Sequence, residues 1–202
     1  MNMNTKKRNQ SYIINIFAAA LIILPNSACT NAVVGAGATT GLAIYDERNI
    51  KTIARDTLTA TRLRAKMIEL STDLATKVGI DVHKDRVLLT GAIADEKMMS
   101  DAVHIAWSID NVLEVINEIQ LTDTGIVDMA RDGWITMQFR AHMALDEKIF
   151  AVNYLSETVN GVVYIIGIAQ NNNELERVIN LARGISHVRK IVNHVQIKKP
   201  TS

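Results

Sequence analysis

The sequence predicts an α+β fold built from two tandem copies of one small module. Each copy runs helix, strand, strand, helix, strand, giving a three-stranded sheet covered on one face by two helices. Three observations carry this. The chain matches itself without a gap at a shift of 76 positions, so that Arg55 meets Arg131, Asp56 meets Asp132, Met67 meets Met143, Asn117 meets Asn193 and Gln120 meets Gln196. The apolar run Arg86 to Gly91 (Arg-Val-Leu-Leu-Thr-Gly) returns as Val162 to Gly167 (Val-Val-Tyr-Ile-Ile-Gly). Within each copy, helical periodicity and strand alternation follow one another in the same order. A long self-match of this kind is the signature of a repeated structural unit, and two-layer packing of helices on a sheet is the stable way to bury such elements.

The chain has 202 residues, and the expected organisation is a signal peptide over 1–28, a tether over 29–50, the first module over 51–122 and the second over 126–198. Lys6, Lys7 and Arg8 precede an apolar run from Tyr12 to Leu24. That run is too short to span a bilayer and suits the apolar region of a signal peptide. Cys29 is the only cysteine, so no internal disulfide can form. Its place after the apolar run and Ala28 suits acylation and cleavage before the cysteine. Asn26 stands where such a motif usually has leucine, and the alternatives are ordinary secretory cleavage near Ala28 or an uncleaved anchor. The small apolar stretch after it contains Gly35, Gly37 and Gly41, but no βαβ unit surrounds them, so it reads as a tether rather than a dinucleotide loop.

In module 1, a helix is expected from Asp46 to Leu70, with Thr59, Leu63, Met67 and Leu70 on one face. Val78 to His83 alternates as a half-buried strand, Lys84-Asp85 makes a tight turn, and Val87 to Thr90 forms the next strand, ended by Gly91. Asp95 caps a helix to Ser108 with Met98, Ala102, Ile105 and Ala106 on its apolar side. Val112 to Leu121 closes the sheet. After Asp123-Thr124-Gly125, module 2 repeats the order, with a helix from Asp128 to Leu145, strands near Ala151 to Thr158 and Val162 to Ile166, a helix from Asn173 to Arg183 and a strand from Val188 to Ile197. Asn160-Gly161 is a strong hairpin signal. Met98, Met99 and Trp107 are expected in the core or between modules.

An αββαβ module doubled behind an export signal resembles the BON (bacterial OsmY and nodulation) family. The resemblance rests on Gly91 and Gly167 after their apolar runs, and on the closing strands with Val115-Ile116-Asn117 and Ile191-Val192-Asn193. With Cys29 and the run Asp132 to Thr136 (Asp-Gly-Trp-Ile-Thr), the chain is similar to two-module outer-membrane lipoproteins of that family. The resemblance implies an envelope protein that recognises anionic phospholipid through its second module and supports membrane integrity. Module 1 departs from it with Lys84-Asp85-Arg86 where relatives often place a hairpin glycine.

No catalytic constellation is present, no histidine spacing matches a metal site, and neither a cofactor nor a nucleic-acid partner is expected. The acidic pairs Asp95-Glu96 and Asp146-Glu147 read as caps or solvated charge. Gly91 and Gly167 read as structural. Charge is uneven: residues 46–124 hold 10 basic and 14 acidic side chains, and residues 125–202 hold 9 and 7. On the first helix of module 2, Ile135, Phe139 and Met143 should face the core, while Trp134, Met137, Ala141 and Leu145 form a second apolar stripe flanked by Arg131 and Arg140. Their module 1 counterparts are Leu58, Thr61, Ala65 and Glu69, a more polar set. Tryptophan, apolar and arginine side chains together are the composition of an interfacial helix. The expected function is therefore binding of anionic phospholipid by a lipid-anchored outer-membrane protein through Trp134, Met137, Leu145, Arg131 and Arg140. The alternatives are a stripe packed against module 1 or the tether, and a soluble periplasmic stress protein or chaperone that binds protein chains.

Overall fold

The computed structural model describes residues 49–122 and 126–199. The expected signal peptide, Cys29, the glycine-containing stretch expected as a tether, the Asp123–Gly125 linker and residues 200–202 lie outside the described residues. Module 1 comprises α1 (Ile50–Leu70), a short α2 (Thr72–Lys77), β1 (Val78–His83), β2 (Arg86–Ile93), α3 (Glu96–Trp107), β3 (Glu114–Asn117) and β4 (Gln120–Leu121). Module 2 comprises α4 (Ile126–Leu145), a 3-10 turn (Ala151–Asn153), β5 (Tyr154–Val159), β6 (Val162–Ala169), α5 (Asn172–Arg183) and β7 (Lys190–Ile197). The α+β class and the order within each module are as the sequence predicts, with α2 as an unanticipated addition. Asn49 caps α1, its side chain accepting from Thr52 N at 2.9 Å. Ser71 begins α2 in the same way, accepting from Leu74 N.

In both modules the middle strand is central. β2 pairs antiparallel with β1 and parallel with β3 and β4, and β6 pairs antiparallel with β5 and parallel with β7. The closing segment of module 1 is broken between Asn117 and Gln120, where Asn117 Oδ1 accepts from Ile119 N at 3.2 Å. Asn193 repeats that turn on Val195 N at 2.9 Å, yet β7 runs through it.

Both turns between the first two strands are held by a buried aspartate from the long helix. Asp56 accepts from Lys84 N at 3.0 Å and Asp85 N at 3.1 Å. Asp132 accepts from Asn160 N at 2.6 Å and Gly161 N at 2.8 Å. The turn residues Lys84, Asp85, Asn160 and Gly161 all have positive φ, as a hairpin turn that follows strand twist requires. The coincidence of Asp56 with Asp132 in the self-match is therefore a turn anchor repeated.

The two glycines occupy equivalent places, Gly91 opposite Val78 and Gly167 opposite Tyr154. Gly91 does not end its strand, as the sequence had suggested; β2 runs on to Ile93. A Cβ at Gly91 would overlap the Lys77 carbonyl oxygen, and one at Gly167 the Asn153 carbonyl oxygen. Each glycine thus lets the segment before the first strand cross close over the central one.

Each sheet is buried on both faces, which is why β2 and β6 read as apolar runs rather than alternations. Val87, Leu89 and Ile93 join Leu63, Met67, Ala102 and Ile105 under the helices of module 1. Val163, Ile165 and Ala169 join Ile135, Phe139, Met143 and Val178 under those of module 2. The other face of each sheet meets its counterpart: Leu88 and Ile116 pack with Val159, Tyr164 and Ile166, with Leu155 and Val192 alongside. The layers are helices, sheet, sheet, helices. Leu88 and Tyr164 are equivalent in the 76-position register, as are Ile116 and Val192. Glu118 and His194, also equivalent, are joined at 2.8 Å between Oε1 and Nε2. Equivalent residues facing one another mark an approximate two-fold axis between the modules.

Two side chains expected inside lie outside. Leu70 ends α1 and is exposed. Trp107 closes α3 with 54% of its surface exposed, while Met98 and Met99 do pack on the core.

Candidate functional site: the outer face of α4

Helix α4 turns Ile135, Phe139 and Met143 into the module 2 core, all but excluded from solvent. Its opposite side is left uncovered by the other described residues. Trp134 is 40% exposed, Met137 62% and Leu145 81%, and Ala130, Gly133, Ala141 and Ala144 on the same side are exposed as well. Module 1 packs against the sheet and not on this face, so Trp134 is not hidden between the modules. Between Asp132 and Asp146 the helix carries no carboxylate, and Asp132 itself is turned inward onto the hairpin. An exposed apolar stripe free of acidic side chains is thus presented along the helix.

Arg131 lies one turn before Trp134 and is paired with Asp128 at 2.8 Å (Nη1 to Oδ1). Arg140 reaches back to β5, donating from Nη2 to the Ser156 carbonyl oxygen and lying 3.7 Å from Glu157 Oε2. It remains 47% exposed along its side chain, so it has both a structural and a surface-facing part. The equivalent helix of module 1 also exposes apolar side chains, Leu58 and Ile68, but Arg62, Lys66 and Glu69 are interleaved with them.

Arg140 also bears on the junction of the modules. Glu157 and its module 1 equivalent Asp81 lie near each other there. Burial pushes the Asp81 carboxyl up from the ordinary aspartate value, against the pull of Arg140. Burial, then the charge of Asp81, pushes Glu157 up, again opposed by Arg140. A carboxyl whose pKa is higher in the folded state takes up its proton more readily there than in the unfolded chain. The ionised pair therefore costs stability at neutral pH, and that cost fades as pH falls toward 3.8 and 4.5, the ordinary values. Asp81→Asn is expected to raise Tm at pH 7 by more than at pH 4; thermal melts at the two pH values check this, and an equal or negative change at pH 7 contradicts it.

Among the described residues, no group of three or more His, Cys, Asp or Glu side chains could hold a metal ion, and no helix is long and apolar enough to cross a membrane. Asp95 caps α3 through Lys97 N at 2.8 Å, and Asp146 accepts from Lys148 N and pairs with Arg177 at 2.6 Å. The aspartate of each acidic pair is structural in this way, and Glu96 and Glu147 are exposed to solvent. Neither Arg189 nor His187 has an assigned role in the sequence reading above; the structure places both beside Arg131. The signal was in the self-match, where Leu113 and Asn111 stand in their places.

The model of the BON domain matches the chain twice, over residues 55–123 and 131–199. The chain belongs to the BON family. A protein of Anaplasma centrale described as an uncharacterized protein in the gshII 5' region is 35% identical over 123 residues, which cover 60% of this chain and 82% of that one. The outer membrane lipoprotein DolP of Haemophilus influenzae is 26% identical over 166 residues, 81% of this BON protein and 86% of DolP. The osmotically-inducible protein Y of Escherichia coli is 19% identical over 146 residues, 71% and 73% of the two chains.

Proposed function

We propose that this BON protein is a non-enzymatic envelope protein, anchored to the outer membrane through an acylated Cys29, that binds anionic phospholipid with the outer face of α4 and supports membrane integrity. The uncovered, acid-free stripe of Trp134, Met137 and Leu145 is the observation that carries the reading. Tryptophan favours the headgroup layer, and each buried apolar side chain contributes about 1–2 kcal/mol. Arg131 and the exposed part of Arg140 lie near the phosphates, each basic side chain adding on the order of 1 kcal/mol at an anionic surface. Binding of this size is weak and reversible, and a lipid anchor would hold the site at high effective concentration. The likeness to DolP, whose name describes an outer membrane lipoprotein, supports the location.

The test is flotation of the full chain with phosphatidylglycerol vesicles. Trp134→Glu is expected to weaken binding at least tenfold with the fold unchanged by circular dichroism, and added salt to weaken wild-type binding. Equal flotation of Trp134→Glu and wild type sinks the lipid reading and favours a periplasmic protein that binds protein chains. The mass of the mature N-terminus reads the anchor directly.

A further inference from the structure

We infer that module 2 also carries a pocket for a phosphate group at the foot of α4. The inference rests on the reading that α4 meets lipid, and names the headgroup chemistry. A cavity of about 190 Å³ lies between the start of α4, the β5–β6 turn and the segment entering β7, lined by Asp128, Arg131, Asp132, Gly161, His187 and Arg189 among others.

Module 1 is the internal control. There Asp85 stands where module 2 has Gly161, and its carboxylate is gripped by Arg55 through Nε at 2.7 Å and Nη2 at 2.6 Å. The arginine and the turn thus satisfy each other. In module 2 the glycine removes that acceptor, and a Cβ there would come within 2.9 Å of the His187 carbonyl oxygen and 3.1 Å of the Arg189 stem. Arg131 turns instead to Asp128. The backbone path is otherwise the same, since His187 and its equivalent Asn111 are both left-handed, at φ 71° and 68°. What differs is chemistry: Asn111 and Leu113 become His187 and Arg189.

The two carboxylates at the cavity do not make it acidic. Asp132 is taken up by the turn amides, and Asp128 by Arg131. Among the described residues, neither the Arg189 guanidinium nor the His187 imidazole has a hydrogen bond or ion pair. A guanidinium fork and an imidazole at the lining of a small polar cavity suit a tetrahedral phosphate oxyanion. The cavity is below the roughly 300–1,000 Å³ of sites that enclose drug-sized ligands, so it admits a headgroup and not an acyl chain. Arg131 joins the two features, lining the cavity one turn before Trp134, so a headgroup held there would direct its chains along the apolar stripe.

The test uses the full-length chain with two probes, glycerol 3-phosphate in solution and phosphatidylglycerol vesicles, read by amide NMR shifts at Gly161 and His187 and by flotation. Arg189→Ala is expected to abolish the glycerol-phosphate shifts and to weaken vesicle binding about fivefold or more. Lys190→Ala, the exposed neighbour, should change binding less than twofold. Shifts lost in Arg189→Ala with vesicle binding unchanged assign the pocket to a free phosphate compound. Wild-type vesicle binding by Arg189→Ala, with no shift from glycerol phosphate in the unmutated chain, overturns the pocket while leaving the Trp134 stripe intact. Loss in Arg189→Ala with Trp134→Glu unaffected would instead uphold the pocket and remove the stripe.

Discussion

Alanine at Gly91 is expected to lower the stability of the whole chain by about 2–5 kcal/mol, and alanine at Gly167 by about 1–3 kcal/mol. Both new methyl groups would enter space held by a backbone carbonyl, of Lys77 and of Asn153, which cannot swing aside as a side chain can. Gly91 carries a second cost, because its φ of 132° is strained for any residue with a Cβ. The order of the two effects is the informative part. Urea unfolding of the two variants measures it, and a Gly167 variant as stable as wild type would show that the close crossing in module 2 relaxes freely.

Ile166→Asp is expected to separate the modules. Ile166 is fully buried between the two sheets, while its neighbours Val163, Ile165 and Ala169 face the helices of module 2. A carboxylate there has no partner, and leaving it buried costs on the order of 3 kcal/mol or more. Parting the sheets relieves that cost without opening either helix-facing core. The expected result is a single calorimetric transition in the wild type and two resolved transitions in the variant. One unresolved transition with an unchanged midpoint would mean that the shared layer contributes little to the coupling of the modules.

The sequence made the elements and their order legible because the register supplied two readings of each. Ile135, Phe139 and Met143 were placed in the core by their match to Thr59, Leu63 and Met67, and they are there. The sheet-to-sheet layer was not legible. Apolar residues at Leu88, Tyr164 and Ile166 show that a second face is buried, but periodicity does not say what buries it. Leu70 and Trp107 were misplaced for a related reason: each sits at the last turn of its helix, where the face is set by how the chain leaves and not by helical spacing. Gly91 looked like a strand end because glycine usually punctuates; here it marks a close crossing in mid-strand. The exposed stripe of α4 was readable because the two copies differ. The cavity beside it depends on one exchange, Asp85 for Gly161, whose effect on Arg131 appears only when the turn is folded over the helix.

The approximate two-fold axis has one more consequence. With the sheets back to back, α1 and α4 lie in opposite outer layers, and a flat surface can rest against only one of them. A pair of identical subunits with this packing would be obliged to make both outer helices alike. A single chain that holds both copies is free of that obligation. One copy can keep a charged outer helix suited to water while the other specialises, and Glu118 can meet a histidine where strict symmetry would have set glutamate against glutamate. Joining the copies in one polypeptide is thus what allows the molecule to have a front and a back.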